Sequence, residues 1–115
     1  MSSLEKCVFC RIGANELPVE LVFENDEFVA FRDIKPVAPV HVILISRKHF
    51  STWMDISDPG VLGRALIAVQ DVAKILRLED EGFRTVINYK GDGGQTVYHF
   101  HIHILGGRFM SWPPG

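Results

Sequence analysis

Residues 97–105 read VYHFHIHIL. Histidine stands at 99, 101 and 103, with Phe100, Ile102 and Ile104 between and after. Alternation of this kind is the period of a β-strand, whose side chains point to opposite faces in turn. One face is apolar and packs on a core. The other carries three imidazoles spaced about 6.5 Å apart. An ordinary outward face carries Thr, Ser, Lys or Glu. A rigid row of imidazoles instead suits metal binding, attack on phosphorus or proton transfer. Residues i and i+4 on a strand lie about 13 Å apart, so His99 and His103 cannot share one ion without a bend. The three histidines must divide their duties.

The flanking segments supply the rest of a sheet. Residues 83–90, FRTVINYK, form a strand candidate, and 91–96, GDGGQT, a tight loop that leads into the histidine strand. Gly91, Gly93 and Gly94 let the backbone turn and present unobstructed N–H groups, a nest that favours anions. Gln95 and Thr96 add a side-chain donor and a hydroxyl. Alone such a loop is only a turn; beside the imidazoles it reads as a phosphate seat next to a nucleophile. Residues 41–46, HVILIS, are a buried strand rich in β-branched side chains. VELVFEN (19–25) and EFVAFRD (27–33) form an antiparallel hairpin turning at Asn25-Asp26. In its second strand Phe28, Ala30 and Arg32 alternate with Val29, Phe31 and Asp33. The two prolines of IKPVAPV (34–40) make it an extended connection.

One long helix is expected over 59–78. Asp58 caps it, Pro59 suits its first position, and Gly82 is a stop soon after. Leu62, Leu66, Val69, Ala73 and Leu76 recur at three- and four-residue steps as one apolar stripe. KCVFCRIGANELP (6–18) is a turn or short helix. Strands in runs rather than in βαβ alternation give an α+β class. The expected fold is a five-stranded, mainly antiparallel sheet with one long helix and one or two short ones, all in one domain, 1–115.

Composition narrows the function. Hydrophobic residues make up 47% of the 115, enough for a true core. A net charge of −2 gives no general attraction to nucleic acid or to an anionic membrane. No apolar run approaches the roughly 20 residues that span a bilayer, and MSSLEKCVFC has no signal-peptide pattern. A cytoplasmic location is expected. Cys7 and Cys10 form a CxxC with three competing readings. A redox pair wants a βαβ context that is missing, a disulfide is disfavoured in the cytoplasm, and a zinc half-site needs two further ligands.

HFHIHIL (99–105) matches a histidine-triad pattern, His-apolar-His-apolar-His-apolar-apolar. FRDIKPVAPVHVILISRKH, GGQTVYHFHIHILGGR and the terminal WPPG extend the match from about Cys7 to Gly115. In these segments the chain resembles the histidine triad (HIT) family, and within it the Hint branch of purine nucleoside phosphoramidases. The resemblance implies a homodimer, and a purine nucleoside monophosphate or its phosphoramidate bound on the sheet face. It implies His101 as nucleophile, His103 on the phosphate and helping to protonate the leaving group, and His41 supporting the nucleophile. Phe9, Ile12, Phe31 and Ile34 would line the base site, and Asp33 would hold the ribose hydroxyls. Asn88, Gly94, Gln95 and Thr96 would hold the phosphate and leaving group, with Trp112 on a tail reaching a nucleotide site. Some triad proteins with a CxxC complete a zinc site, which here would use Cys7, Cys10, His49 and His99. That zinc would be structural and not required for the chemistry.

Each residue also has a plainer reading. Phe9, Ile12, Phe31 and Ile34 suit an ordinary core, Asp33 and Asn88 suit turns, and His41 suits a strand start satisfied by backbone. The expected reaction is cleavage of the P–N bond of a nucleoside 5′-phosphoramidate through a nucleotidyl-histidine. The alternatives are dinucleoside polyphosphate hydrolysis and a nucleotide-binding scaffold with weak catalysis.

Overall fold

The computed structural model describes residues 7–115. A five-stranded sheet lies at its centre, in the order β1 (Leu21–Glu24), β2 (Phe28–Arg32), β3 (Val40–Ser46), β5 (His101–Gly106), β4 (Phe83–Val86). Every neighbouring pair is antiparallel. A short helix α1 (Val8–Gly13) precedes β1, the long α2 (Pro59–Ile75) joins β3 to β4, and a single turn α3 (Lys90–Gly93) precedes β5. The α+β class and the five strands are those expected from the sequence.

The period of two gives the sheet two working faces. Phe28, Ala30, Val42, Leu44, Phe100, Ile102 and Ile104 pack under α2 in the larger core. Val29, Phe31, Ile43 and Ile45 point the other way and meet Phe9 and Ile12 of α1. Phe100, Ile102 and Ile104 are each no more than 2% exposed. Burying side chains of this size contributes about 1.5–3 kcal/mol each, so the apolar half of the histidine strand anchors the other half.

Asp58 caps α2 by accepting from the Gly60 N–H, and Pro59 opens the helix, as its sequence signals require. The inward stripe differs from expectation. It is built from Ala65, Ala68, Val69, Val72 and Ala73, with Leu62 and Leu76 at its edge, while Leu66 is 53% exposed. Small side chains let α2 lie close to the sheet, and the choice of alanine for this purpose is invisible to a search for leucines.

Two other elements are shorter than their patterns. β4 ends at Val86 rather than running to residue 90. The glycine loop closes as α3, ended by Gly94 in the left-handed region at φ +81°. β5 begins at His101, so His99 stands just outside the ladder. After β5, Gly107 turns at φ +88° against Pro39, in space that a Cβ would occupy at 2.7 Å.

A candidate active site beside a metal centre

The β3–β5 register sets His103 opposite Ile43, His101 opposite Ile45 and His41 opposite Leu105. His41 is therefore a diagonal neighbour of His103 and lies four residues of strand from His101. Its Nε2 meets His103 Nδ1 at 2.9 Å. This differs from the expected pairing: His41 bonds to His103 and not to His101, the residue expected as nucleophile.

The hydrogen bonds assign the ring protons, because a carbonyl only accepts and a backbone N–H only donates. His101 Nδ1 lies 2.6 Å from the His99 carbonyl and donates to it, which leaves His101 Nε2 bare. The Val37 N–H donates to His41 Nδ1 at 3.1 Å, so the neutral His41 carries its proton on Nε2. That proton goes to His103 Nδ1, which leaves His103 with an Nε2–H donor. One strand thus presents a bare nitrogen and an N–H donor side by side, with ring centroids 5.1 Å apart.

Burial keeps these rings neutral. It lowers the His101 pKa below the ordinary imidazole value, against the opposing effect of the bond to the His99 carbonyl. Burial, with help from neighbouring His101 and His41, pushes His103 down to about 4. His41 is lowered by burial too, with Asp33 pulling the other way. Asp33 Oδ2 stands 3.4 Å from His41 Nε2. Asp33, His41 and His103 could gather round a cation, but the proton that Val37 fixes on His41 Nε2 occupies that space.

His101 and His103 line a cleft of about 700 Å³, within the usual size of a small-molecule site. Phe9, Ile12, Phe31, Ile34, Asp33 and Thr96 line it as well, so these residues, to which the resemblance gives base, ribose and phosphate roles, share one cleft with the histidines. Phe9 stands edge-on to both Phe31 and His101. Ile34 is 91% exposed and forms an open rim rather than core. Val8, Leu17, Val19, Ile43 and Val97 complete the apolar wall, none of them singled out by the sequence.

The glycine loop departs from expectation. Gln95 is buried, and its amide accepts from the Lys90 N–H and donates to the Ser51 and Val97 carbonyls. The Gly94 and Gln95 N–H groups bond to Gly91 and Lys90 inside the turn. Gln95 and Gly94 therefore lock the loop and have no donor left for phosphate. Asn88 is half-buried beside Gly93, outside the cleft lining. Trp112 is 79% exposed, lies against the Arg84 guanidinium and does not reach the cleft of its own chain. Arg84 also donates to the Met110 and Ser111 carbonyls and so fixes the tail.

The metal donors do come together. Cys7 Sγ lies 3.3 Å from His99 Nδ1, and Cys10 Sγ lies 3.2 Å from His49 Nδ1 and 3.5 Å from His99 Nδ1. Tetrahedral zinc, with bonds of about 2.3 Å to sulfur and about 2.0 Å to nitrogen, sets sulfur and nitrogen about 3.5 Å apart. The His99 Nε2–H donates to the Ser46 carbonyl at 2.6 Å, which leaves Nδ1 bare as a ligand requires. Without a cation, burial and neighbouring Cys7 push the Cys10 thiol up to about 12. A divalent ion would hold both sulfurs as thiolates. Cys7, Cys10, His49 and His99 thus fit a structural zinc.

Comparison with known proteins agrees with this arrangement. The HIT domain pattern matches residues 14–110. A HIT-like protein of Synechococcus elongatus is 43% identical over 113 residues, covering 96% of this chain and 98% of its own. A 14 kDa zinc-binding protein of Brassica juncea is 45% identical over 112 residues, covering 94% and 98%. A crystal structure of a HIT family hydrolase from Legionella pneumophila superposes with a TM-score of 0.90 at 45% identity, covering 95% and 99%.

Proposed function

The chain belongs to the HIT domain family, and we propose that it is a nucleotide hydrolase that cleaves the P–N bond of purine nucleoside 5′-phosphoramidates. The observation that carries this reading is the fixed pair of tautomers: bare Nε2 on His101 and Nε2–H on His103, both in one cleft. The purine lies between Phe9, Ile12, Phe31 and Ile34, the ribose hydroxyls donate to Asp33, and Thr96 meets the phosphate.

His101 Nε2 attacks the α-phosphorus in line with the departing nitrogen. A P–N(His) bond forms and the P–N(amine) bond breaks. The bond from His101 Nδ1–H to the His99 carbonyl supports the positive charge that the ring gains. His103 donates its Nε2–H to a phosphoryl oxygen as a neutral group. Burial disfavours an imidazolium here, so the departing amine takes its proton from water at the open mouth of the cleft, and the hydroxide left behind takes up the proton released when water attacks in the second step. This refines the role expected for His103, from acid to donor. Water then attacks the nucleotidyl-histidine, releases the nucleoside monophosphate and restores His101.

The zinc-binding relative supports a zinc ion on Cys7, Cys10, His49 and His99, with a structural role. A cytoplasmic location and a homodimer belong to the same reading.

The test is AMP release from an adenosine phosphoramidate of a simple amine, beside diadenosine tetraphosphate at equal concentration. Preference for the phosphoramidate is expected, with turnover lost and AMP binding kept in His101→Ala. Preference for the dinucleotide would move the protein to polyphosphate hydrolysis. Binding without turnover of either would make it a scaffold.

A further inference from the structure

The nucleophile's tautomer depends on one carbonyl, and that carbonyl lies outside the sheet. β3–β5 pairing begins at Ile45 and His101, so no strand ladder orients the peptide between His99 and Phe100. Two other bonds do so. The Phe100 N–H donates to the Phe50 carbonyl, and the His99 ring, wholly buried, is pinned through Nε2–H to the Ser46 carbonyl. The opposite ring nitrogen faces Cys7 and Cys10, with His49 edge-on at 5.0 Å. Phe50 follows His49 directly. Both of these bonds thus run to the 46–50 segment, which carries the ligand His49, while the Phe100 ring packs in the core.

The same cluster holds the base slot. Cys7 and Cys10 sit at the start of α1, which carries Phe9 and Ile12. Phe9 lies edge-on to both His99 and His101, with centroids 5.9 and 5.2 Å away.

We propose that His99 is a positioning residue that couples the Cys7–Cys10–His49–His99 centre to His101: ligation holds its ring, and the held ring aims the carbonyl that keeps His101 Nε2 bare. The centre sits beside the reaction and contributes nothing to the bonds that change. Its loss lowers kcat, because His101 then samples the other tautomer. It also raises KM, because α1 loosens. Partners of this kind are typically worth about 10–100-fold.

The kinetic half of this inference rests on the proposed phosphoramidase reading; the tautomer half does not. The experiment uses the full-length zinc-loaded chain, His49→Asn, and the wild-type chain stripped with a chelator and then re-supplied with zinc. Metal content, circular dichroism, nitrogen-15 shifts of the His101 ring, kcat and KM are read on each. The expected result is zinc lost from folded His49→Asn, His101 Nδ1–H signal giving way to mixed tautomers, and kcat down at least tenfold. Zinc returned to the stripped wild type should reverse all three. A folded, zinc-free protein with the His101 tautomer unchanged would overturn the coupling. Full zinc in His49→Asn would overturn the ligand set. Unfolding of both the variant and the stripped protein would assign the metal to the global fold and equally overturn a local role. Lack of turnover in the zinc-loaded wild type would end the phosphoramidase reading, leaving the nitrogen-15 comparison to judge the coupling alone.

Discussion

His41 has its Nδ1 filled by the Val37 N–H, so its only proton points at His103. Removing His41 frees His103 to turn its own proton inward and so lose the donor that the proposed reaction aims at phosphate. His41→Ala and His103→Ala should therefore each lower kcat by about 10²–10³ with little change in KM, the usual cost of one preorganised donor. The double variant should be no worse than either, because the two act as a unit. Steady-state kinetics on the three proteins check this; near-normal kcat in His41→Ala would break the link. The alternation of 99, 101 and 103 made the chemical face legible in the sequence. The partner of His41 was not legible, because it depends on a register between strands some sixty residues apart. The Val37 N–H and the His99 and Ser46 carbonyls were hidden for a different reason: backbone groups carry no residue identity. Gln95 was misread because a buried amide that locks a loop looks, in sequence, like one that binds an anion.

Strand faces were readable wherever one strand carries two kinds of side chain. β2 and β3 each divide their residues between the two cores as their alternation requires, and β5 sets Ile102 and Ile104 in one core with its histidines on the other face. Helix α2 was readable at its capped start, less so in its buried stripe, where alanine outnumbers valine. Its outer face leaves Leu66 and Ile67 more than half exposed, and β4 is an edge strand with Phe83 and Ile87 partly open. A free strand edge and an exposed apolar helix face are each natural places for a second copy to pair. Light scattering should give twice the 13.0 kDa chain mass, and a Leu66→Glu variant should shift it toward one; a wild-type monomer at micromolar concentration would remove the homodimer.

The whole chain folds around imidazoles kept neutral. In an unfolded chain His103 titrates near 6.5; in the fold, burial holds it at about 4. His41 and His101 are lowered in the same direction. Between these values the unfolded state binds more protons, so stability rises with pH across that window. The contribution is complete above about pH 6.5 and is lost as pH falls toward 4. Urea unfolding should thus show a flat midpoint at neutral pH and a falling one below 6.5, and a midpoint constant down to pH 4 would contradict neutral burial. On the proposed mechanism turnover takes two displacements at one phosphorus, first by His101 and then by water. The stereochemical course at that phosphorus tests this most directly, using a chiral adenosine thiophosphoramidate hydrolysed in heavy-oxygen water. Two in-line displacements through a nucleotidyl-His101 predict retention; inversion would mean that water attacks directly and that His101 is not the nucleophile.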